Sequence, residues 1–407
     1  MKKLLVLALL LFFGNDLSAS HALGGEITWQ CAKSGPNSGK VKFRVVFYRE
    51  CCGVGFSPPG NTINLSSNSP AGSISCVRVG TPVNVSPVCY SGQPSCPQGY
   101  TAGCSGTGLM EEHLYESSWI NMNGTPPPAG WTFSFTVFAR PTQNNNGGGP
   151  YYLRAKMYPY TPPGAGAPLT MNTCYDSSPQ FAEKPKSIIC TGYPYTFSHN
   201  AYEPEFDSVH YAFADPLTAA GTSVTWTSPY SVNNPFPNQG NPVGFTPSTG
   251  LITIDPTVGG GFMSCVKVES YRCGQRISEI FRDVALVIRT NCDLTGLSAI
   301  NLPPSLVVDS IPGSSNQVIV PTKQYSGYGT DTVYYAAVYP GDIVKFQLTA
   351  QDPDLSPTFT PQYVTFSANS AQIFNSTLSN TCADPPCAYV TPVSPATSFT
   401  NPLSLNI

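Results

Sequence analysis

The chain has 407 residues, a net charge of −3 and only 11% charged side chains, so it carries no basic field for nucleic acid or anionic lipid. Aromatic residues at 12% oppose disorder, because Tyr, Phe and Trp fill cores, and 36 Gly with 41 Pro speak for turns and strands. At about 100–200 residues per domain, the length suits two to four domains.

Residues 1–20 open with Lys2 and Lys3, run apolar over 4–13 and end on Ser18, Ala19 and Ser20. That is a secretory signal-peptide pattern, and its apolar run is shorter than the ~20 residues a bilayer span needs. No later stretch is long and apolar enough to span a membrane, so the chain is expected to be translocated whole and to work outside the cell, at the surface. All 14 cysteines follow the signal and suit an oxidising compartment, where disulfides are the default. Zinc would want paired CxxC motifs, whereas six and seven residues separate Cys89, Cys96 and Cys104, and Cys51 and Cys52 are adjacent.

A first β domain is expected over 21–160. HALGGEITWQC leads through a turn at 35–39 into KVKFRVVFYRECC, where Lys40, Lys42 and Arg44 alternate with Val41, Phe43 and Val45, so a hairpin with one wet face follows. The SGPNSGK turn has Ser34 where a phosphate loop needs its first Gly, and Val41 where it needs Ser or Thr, so it is no nucleotide site. Residues 53–108 are dense in Ser, Pro, Gly and Cys, with a short extended piece at 74–79, and bridges are expected to fix what a core cannot. EEHLYESSWINM follows, and then GWTFSFTVFARP, in which Trp131, Phe133, Phe135 and Val137 alternate with Thr132, Ser134 and Thr136 as a half-buried strand. YYLRAKMYPY closes the domain, and 144–149 reads as a loop tip with no core-forming residue.

Residues 161–189, with Pro162, Pro163, Pro168, Pro179 and Pro185, read as a semi-extended connector. A sandwich domain is then expected over 190–292, with FTPSTG as a turn feeding the strand LITI and a last hairpin of 266–268 and 277–288 around Cys273 and Gly274. Pairing Cys190 with Cys292 would close a loop of about a hundred residues, worth roughly 4–5 kcal/mol through the unfolded chain. Cys265 and Cys273 cannot bridge along a straight strand, since eight residues extend about 26 Å, so each needs another partner or a bulge. The opening of this stretch recurs: Gly192, Phe197, Ala201, Glu203 and Glu205 find Gly341, Phe346, Ala350, Asp352 and Asp354 at a constant offset of 149 (341 minus 192). After a linker over 293–324 with a strand at 317–320, a second copy is expected over 325–407, with strands at 333–338, 342–350 and 363–368 and a small disulfide loop from Cys382 to Cys387. No counterpart of the SCVKVESYRCG hairpin appears, so that copy reads as incomplete and the chain as a piece of a longer one.

Glu203, Glu205 and Asp207 alternate in EPEFD and project one way if the segment is extended. Oxygen ligands so clustered suit calcium, the one cofactor the sequence suggests, although the plainer reading is a solvated turn. Glu111, Glu112 and His113 lack the HExxH order of a zinc protease and no GxSxG elbow exists, so no catalytic residue is assigned. The rival class is a secreted glycan-binding or glycan-degrading protein, through Trp119, Trp131, Tyr151 and Tyr152 stacking on sugars or through distant carboxylate pairs; such aromatics more often fill a core.

Taken in order along nearly the whole chain after the signal, HALGGEITWQC, VVFYREC, EEHLYESSW, GWTFSFTVFAR, LRAKMYPY, the CYDSSPQF run, ICTGYPYTFSHNAYEPEFDS, FTPSTGLITI and KVESYRCG resemble the N-terminal part of the large secreted gliding-motility-associated surface proteins of Bacteroidetes. The resemblance implies tandem immunoglobulin-like, PKD-like or cadherin-like sandwiches, export by type IX secretion machinery, and adhesion to surface glycans or other cell-surface proteins without catalysis. Two departures stand out: the family often has a Cys-Cys pair where this chain has Phe138 and Ala139, and the family's C-terminal sorting domain is not in this sequence. The expectation is an all-β, disulfide-stabilised chain of tandem sandwiches following a signal peptide.

Overall fold

The computed structural model describes residues 22–51, 61–86, 108–181, 184–185, 188–192, 194–240 and 242–290, and strand segments between 305 and 406. The chain is all-β: among the described residues the only helix is one 3-10 turn, Met171–Thr173. Two compact units divide at 292/293.

In the first unit the strands are β1 (Ala22–Cys31), β2 (Val41–Glu50), β3 (Thr62–Ser67), β4 (Ser73–Arg78), β5 (Val83–Asn84), β6 (Met110–Ser117), β7 (Trp131–Arg140) and β8 (Gly149–Met157). They continue with β9 (Gln180–Phe181), β10 (Ile188–Cys190), β11 (Tyr195–Ser198), β12 (Ala201–Tyr202), β13 (Ser208–Phe213), β14 (Leu217–Ala219) and β15 (Thr222–Ser223). β16 (Gly244–Thr246), β17 (Leu251–Ile254), β18 (Gly260–Arg272) and β19 (Gln275–Arg289) complete it. The expected hairpin of β1 and β2 forms, with Trp29 opposite Phe43 and Gly25 opposite Phe47. Its wet face is shorter than the alternation implied: Lys42 and Arg44 reach solvent, but from Val45 to Glu50 both faces are covered.

One 12-stranded sheet dominates, in the order β1-β2-β6-β4-β3-β7-β8-β19-β18-β13, with β5 on β6 and β10 on β19. β18 pairs along the whole of one edge of β19. The other edge is shared in turn by β8 at 278–280, β1 at 282–284 and, in parallel, β10 at 287–289. The circuit that starts at β1 and ends at β8 therefore closes on β19. Trp29, Phe43 and Phe133 meet inside it, with ring centroids 4.5 to 6.5 Å apart, among the buried Ile27, Leu65 and Leu153. Closure needs a close approach of β1 to β19, and a Cβ at Gly24, whose φ is +142°, would lie 1.9 Å from the Asp283 carbonyl oxygen.

Two expectations are corrected by these pairings. The stretches 21–160 and 190–292 are not separate domains, because β19 hydrogen-bonds to both β1 and β8, and the buried hydrophobic residues of both belong to one core cluster. Residues 161–189 are not a connector between bodies: Tyr160 O accepts from Leu169 N, and 175–178 lie along β1, as described below. The tip at 144–149 holds no apolar residue, as expected, yet Asn145 is fully buried, donating to the carbonyls of Pro235 and Met263 and accepting from Met263 N. The amide side chain does the work of a strand there, satisfying backbone groups that would otherwise be buried unpaired.

Cys31 bridges Cys174. Cys51 and Cys190 are also disulfide-bonded. Cys292, Cys382 and Cys387 lie outside the described residues, as do residues 1–20 and the acids Asp352 and Asp354. Cys265 is a buried free thiol and Cys273 an exposed one, so neither bridges. In the second unit, β20 (Ser305–Asp309), β21 (Thr322–Tyr325), β22 (Thr332–Tyr335), β23 (Gln347–Gln351), β24 (Val364–Phe366), β25 (Ala396–Ser398) and β26 (Leu403–Asn406) form an antiparallel sheet β20-β23-β26 and the pairs β21-β22 and β24-β25. The expected strands at 333–338, 342–350 and 363–368 are present in shortened form, and 317–320 lies outside the described residues.

Candidate metal centre

The acids at 203–207 come together with a residue from the supposed connector. After the 3-10 turn, Cys174 takes the left-handed conformation at φ 51°, and its bridge to Cys31 anchors the chain beside the end of β1. From there 175–178 run along β1: Trp29 Nε1 donates to Asp176 O at 3.1 Å, Trp29 N to Ser178 Oγ at 2.9 Å and Cys31 N to Ser177 Oγ at 3.1 Å. Arg272, the last residue of β18, donates to Tyr175 O at 2.7 Å. The Asp176 side chain is thereby fixed in a fully buried position.

Glu203 follows β12, which pairs with β9. The EPEFD segment is a turn rather than an extended strand: Phe206 sits at φ 63° and donates its N–H to Glu203 O, while Glu203 Oε2 accepts from the N–H groups of Glu205 at 2.8 Å and Asp207 at 2.7 Å. The turn separates Asp207 from the other two acids. Glu205 accepts from Ser177 N at 3.1 Å and Ser177 Oγ at 2.9 Å, and Lys33 Nζ lies 2.9 Å from its Oε1. Asp207 is held by Arg272, whose Nε donates to its Oδ1 at 2.8 Å. The expected triad is therefore corrected in one member, because a carboxylate clasped by a guanidinium fork has given its oxygens to that partner.

Asp176 takes the third place. The ligand atoms of Asp176, Glu203 and Glu205 lie within 4.8 Å of one another, the one such group of three among the described residues. Both Asp176 oxygens and Glu203 Oε1 are buried without a hydrogen-bond partner, the nearest cation to Asp176 being Arg272 Nη2 at 3.9 Å. Burial, followed by the charges of Glu205 and Glu203, pushes the Asp176 carboxyl well above the ordinary aspartate range. Burial also lifts Glu203 to about 8, against the lowering effect of its bond from Asp207 N. Asp176 stands two residues after Cys174 in CYDSSPQF, and nothing in its spacing tied it to 203–205.

The other acid–base candidates are tied into the sheet. Glu111 accepts from Arg49 Nε at 2.6 Å and meets His113 Nε2 at 2.7 Å, and these bonds lower its carboxyl despite the upward push of burial. Trp131 and Tyr151 are core, Tyr151 under the Arg140 guanidinium at 4.1 Å, while Trp119 and Tyr152 are half-buried. No known protein family, curated protein or solved structure matches the chain.

Proposed function

We propose that the chain is a secreted surface protein without catalytic activity, serving attachment or gliding at the cell exterior by touching surface glycans or other cell-surface proteins. It would leave the cell through type IX secretion machinery, like the Bacteroidetes gliding-motility proteins it resembles. The observation that carries this reading is how its buried titratable groups are used. Glu26 meets Arg282 between β1 and β19, Glu111 meets Arg49 between β6 and β2, and Arg276 joins Glu269 on the facing β18, at 2.8 Å, to Glu279 on its own strand, at 2.9 Å. Charges spent in this way stiffen a β body closed by a bridge over a sequence separation of 143, a build suited to bearing load outside the cell.

The test is deletion of the gene in the producing cells, read as attachment under flow and as colony spreading. Loss of either, restored by the full chain and by a Glu111→Gln variant that still folds, supports the reading. Unchanged attachment and spreading, or turnover of a glycan by the purified chain, would overturn it.

A further inference from the structure

We propose that Asp176, Glu203 and Glu205 form a binding site for one hard divalent cation of the calcium class, pinning the 175–178 segment to the turn after β12. The inference is independent of the surface-adhesion reading.

Four observations converge on it. Asp176 is wholly buried and offers two oxygens without a donor, and Glu203, only 6% exposed, offers a third in Oε1. Glu205 Oε2 has Ser177 N as its donor and so keeps a second lone pair. Oxygens bound to one calcium at 2.3–2.6 Å can be separated by up to about 5 Å, so a group within 4.8 Å fits around a single ion. The donor set is all oxygen, which selects calcium, magnesium or manganese over zinc or copper, and water would complete the about six to eight ligands that calcium takes.

The charge count points the same way. Asp176, Glu203, Glu205 and Asp207 bring four carboxylates to this region, and among the described residues the cations within 4 Å of them are Lys33 and Arg272. With all four ionised, the surplus would be two negative charges in a site that excludes most water, where an uncompensated ion is costly. One divalent cation cancels it. Protons could cancel it too, and that is the rival outcome to be separated.

The experiment uses the full secreted chain, stripped with chelator and dialysed, at pH 7.5. Calorimetry with calcium chloride should give one site, and thermal unfolding should shift upward with calcium but not with potassium chloride of equal ionic strength. At a calcium concentration about 100 times the dissociation constant, the folding equilibrium should rise about 100-fold. Asp176→Asn should reverse sign with conditions, more stable than wild type in chelator because a repelling charge is gone and less stable in calcium because a ligand is gone. Asp207→Asn, which touches Arg272 rather than the ion, should keep the calcium response. If Asp176→Asn fails to fold, Glu203→Gln and the wild-type calorimetry carry the test. Absence of heat and of a thermal shift up to about 10 mM calcium, or an undiminished response in both Asp176→Asn and Glu203→Gln, would overturn the site and leave protonated carboxyls as its description.

Discussion

Lowering the pH from 7 to 5 should destabilise the protein through His199. The ring is only 2% exposed, its Nε2 has no hydrogen-bond partner, and it packs edge-on against Phe181 at 6.1 Å and Phe197 at 5.8 Å. Burial first, and then the Arg282 charge, push its pKa from 6.5 down to about 3. Between those values the unfolded chain takes up a proton that the folded chain refuses, so stability is lost as pH falls below 6.5. At pH 5 the loss relative to pH 7 comes to about 2 kcal/mol, a figure set by the unfolded pKa and insensitive to the folded one so long as that stays near or below about 4. The assay is urea unfolding at pH 7 and 5, at fixed ionic strength, for wild type and His199→Phe. Carboxylate titrations act on both proteins and cancel in the comparison. The wild type should lose about 2 kcal/mol more than the variant; equal losses would refute the claim that this imidazole is held neutral.

Three further outcomes follow from the closed sheet. Glu26→Gln removes the bidentate partner of Arg282, which is 1% exposed, and should cost about 3–5 kcal/mol in chemical denaturation; a loss below about 1 kcal/mol would mean the pair adds nothing to closure. Replacing Cys31 and Cys174 together by Ser opens a sequence separation of 143 and should cost up to about 5 kcal/mol, less where other bridges already shorten the unfolded loop, with unchanged stability as the refuting result. Gly24→Ala would place a methyl 1.9 Å from Asp283 O at φ +142° and should part β1 from β19, read as faster amide exchange at 282–284, whereas Gly164→Ala, at φ +80° in open space, should leave that exchange alone.

Strands with strict alternation were legible because each buries one face whatever its neighbours are. The hairpin of β1 and β2, the strand at Trp131 and the hairpin around Cys273 and Gly274 all form where period-two patterning and turn residues place them. Pairing between distant strands leaves no such local trace. The edge of β19 is divided among β8, β1 and β10, and nothing in ISEIFRDVALVIR states which strand lies against which residue. The same limit governed the acids. Alternation in EPEFD placed all three on one side of an assumed strand, but Glu203 Oε2 draws two backbone N–H groups into a turn, which leaves Glu205 near Glu203 and gives Asp207 to Arg272. Asp176 was hidden by prolines: 161–189 has a linker's composition, yet its carbonyls and hydroxyls are occupied by β1 and Arg272.

The duplicated stretch at 192–207 and 341–356 suggested a module able to stand by itself, and the charges on β19 argue that the first copy cannot. Arg282 and Asp283 are neighbours on a strand and so face opposite ways, and both are almost fully buried. Arg282 finds Glu26 on β1, and Asp283 lies 3.5 Å from Arg140 on β7. Both partners belong to the part of the chain before residue 160. Cut at 189/190, the hairpin of β18 and β19 would lose Glu26 and Arg140, which help to offset the desolvation of Arg282 and Asp283, and would expose the edge that β1 and β8 cover. A sequence repeat therefore marks shared ancestry of a segment here, while the unit of folding is fixed by where the buried charges find their counterparts.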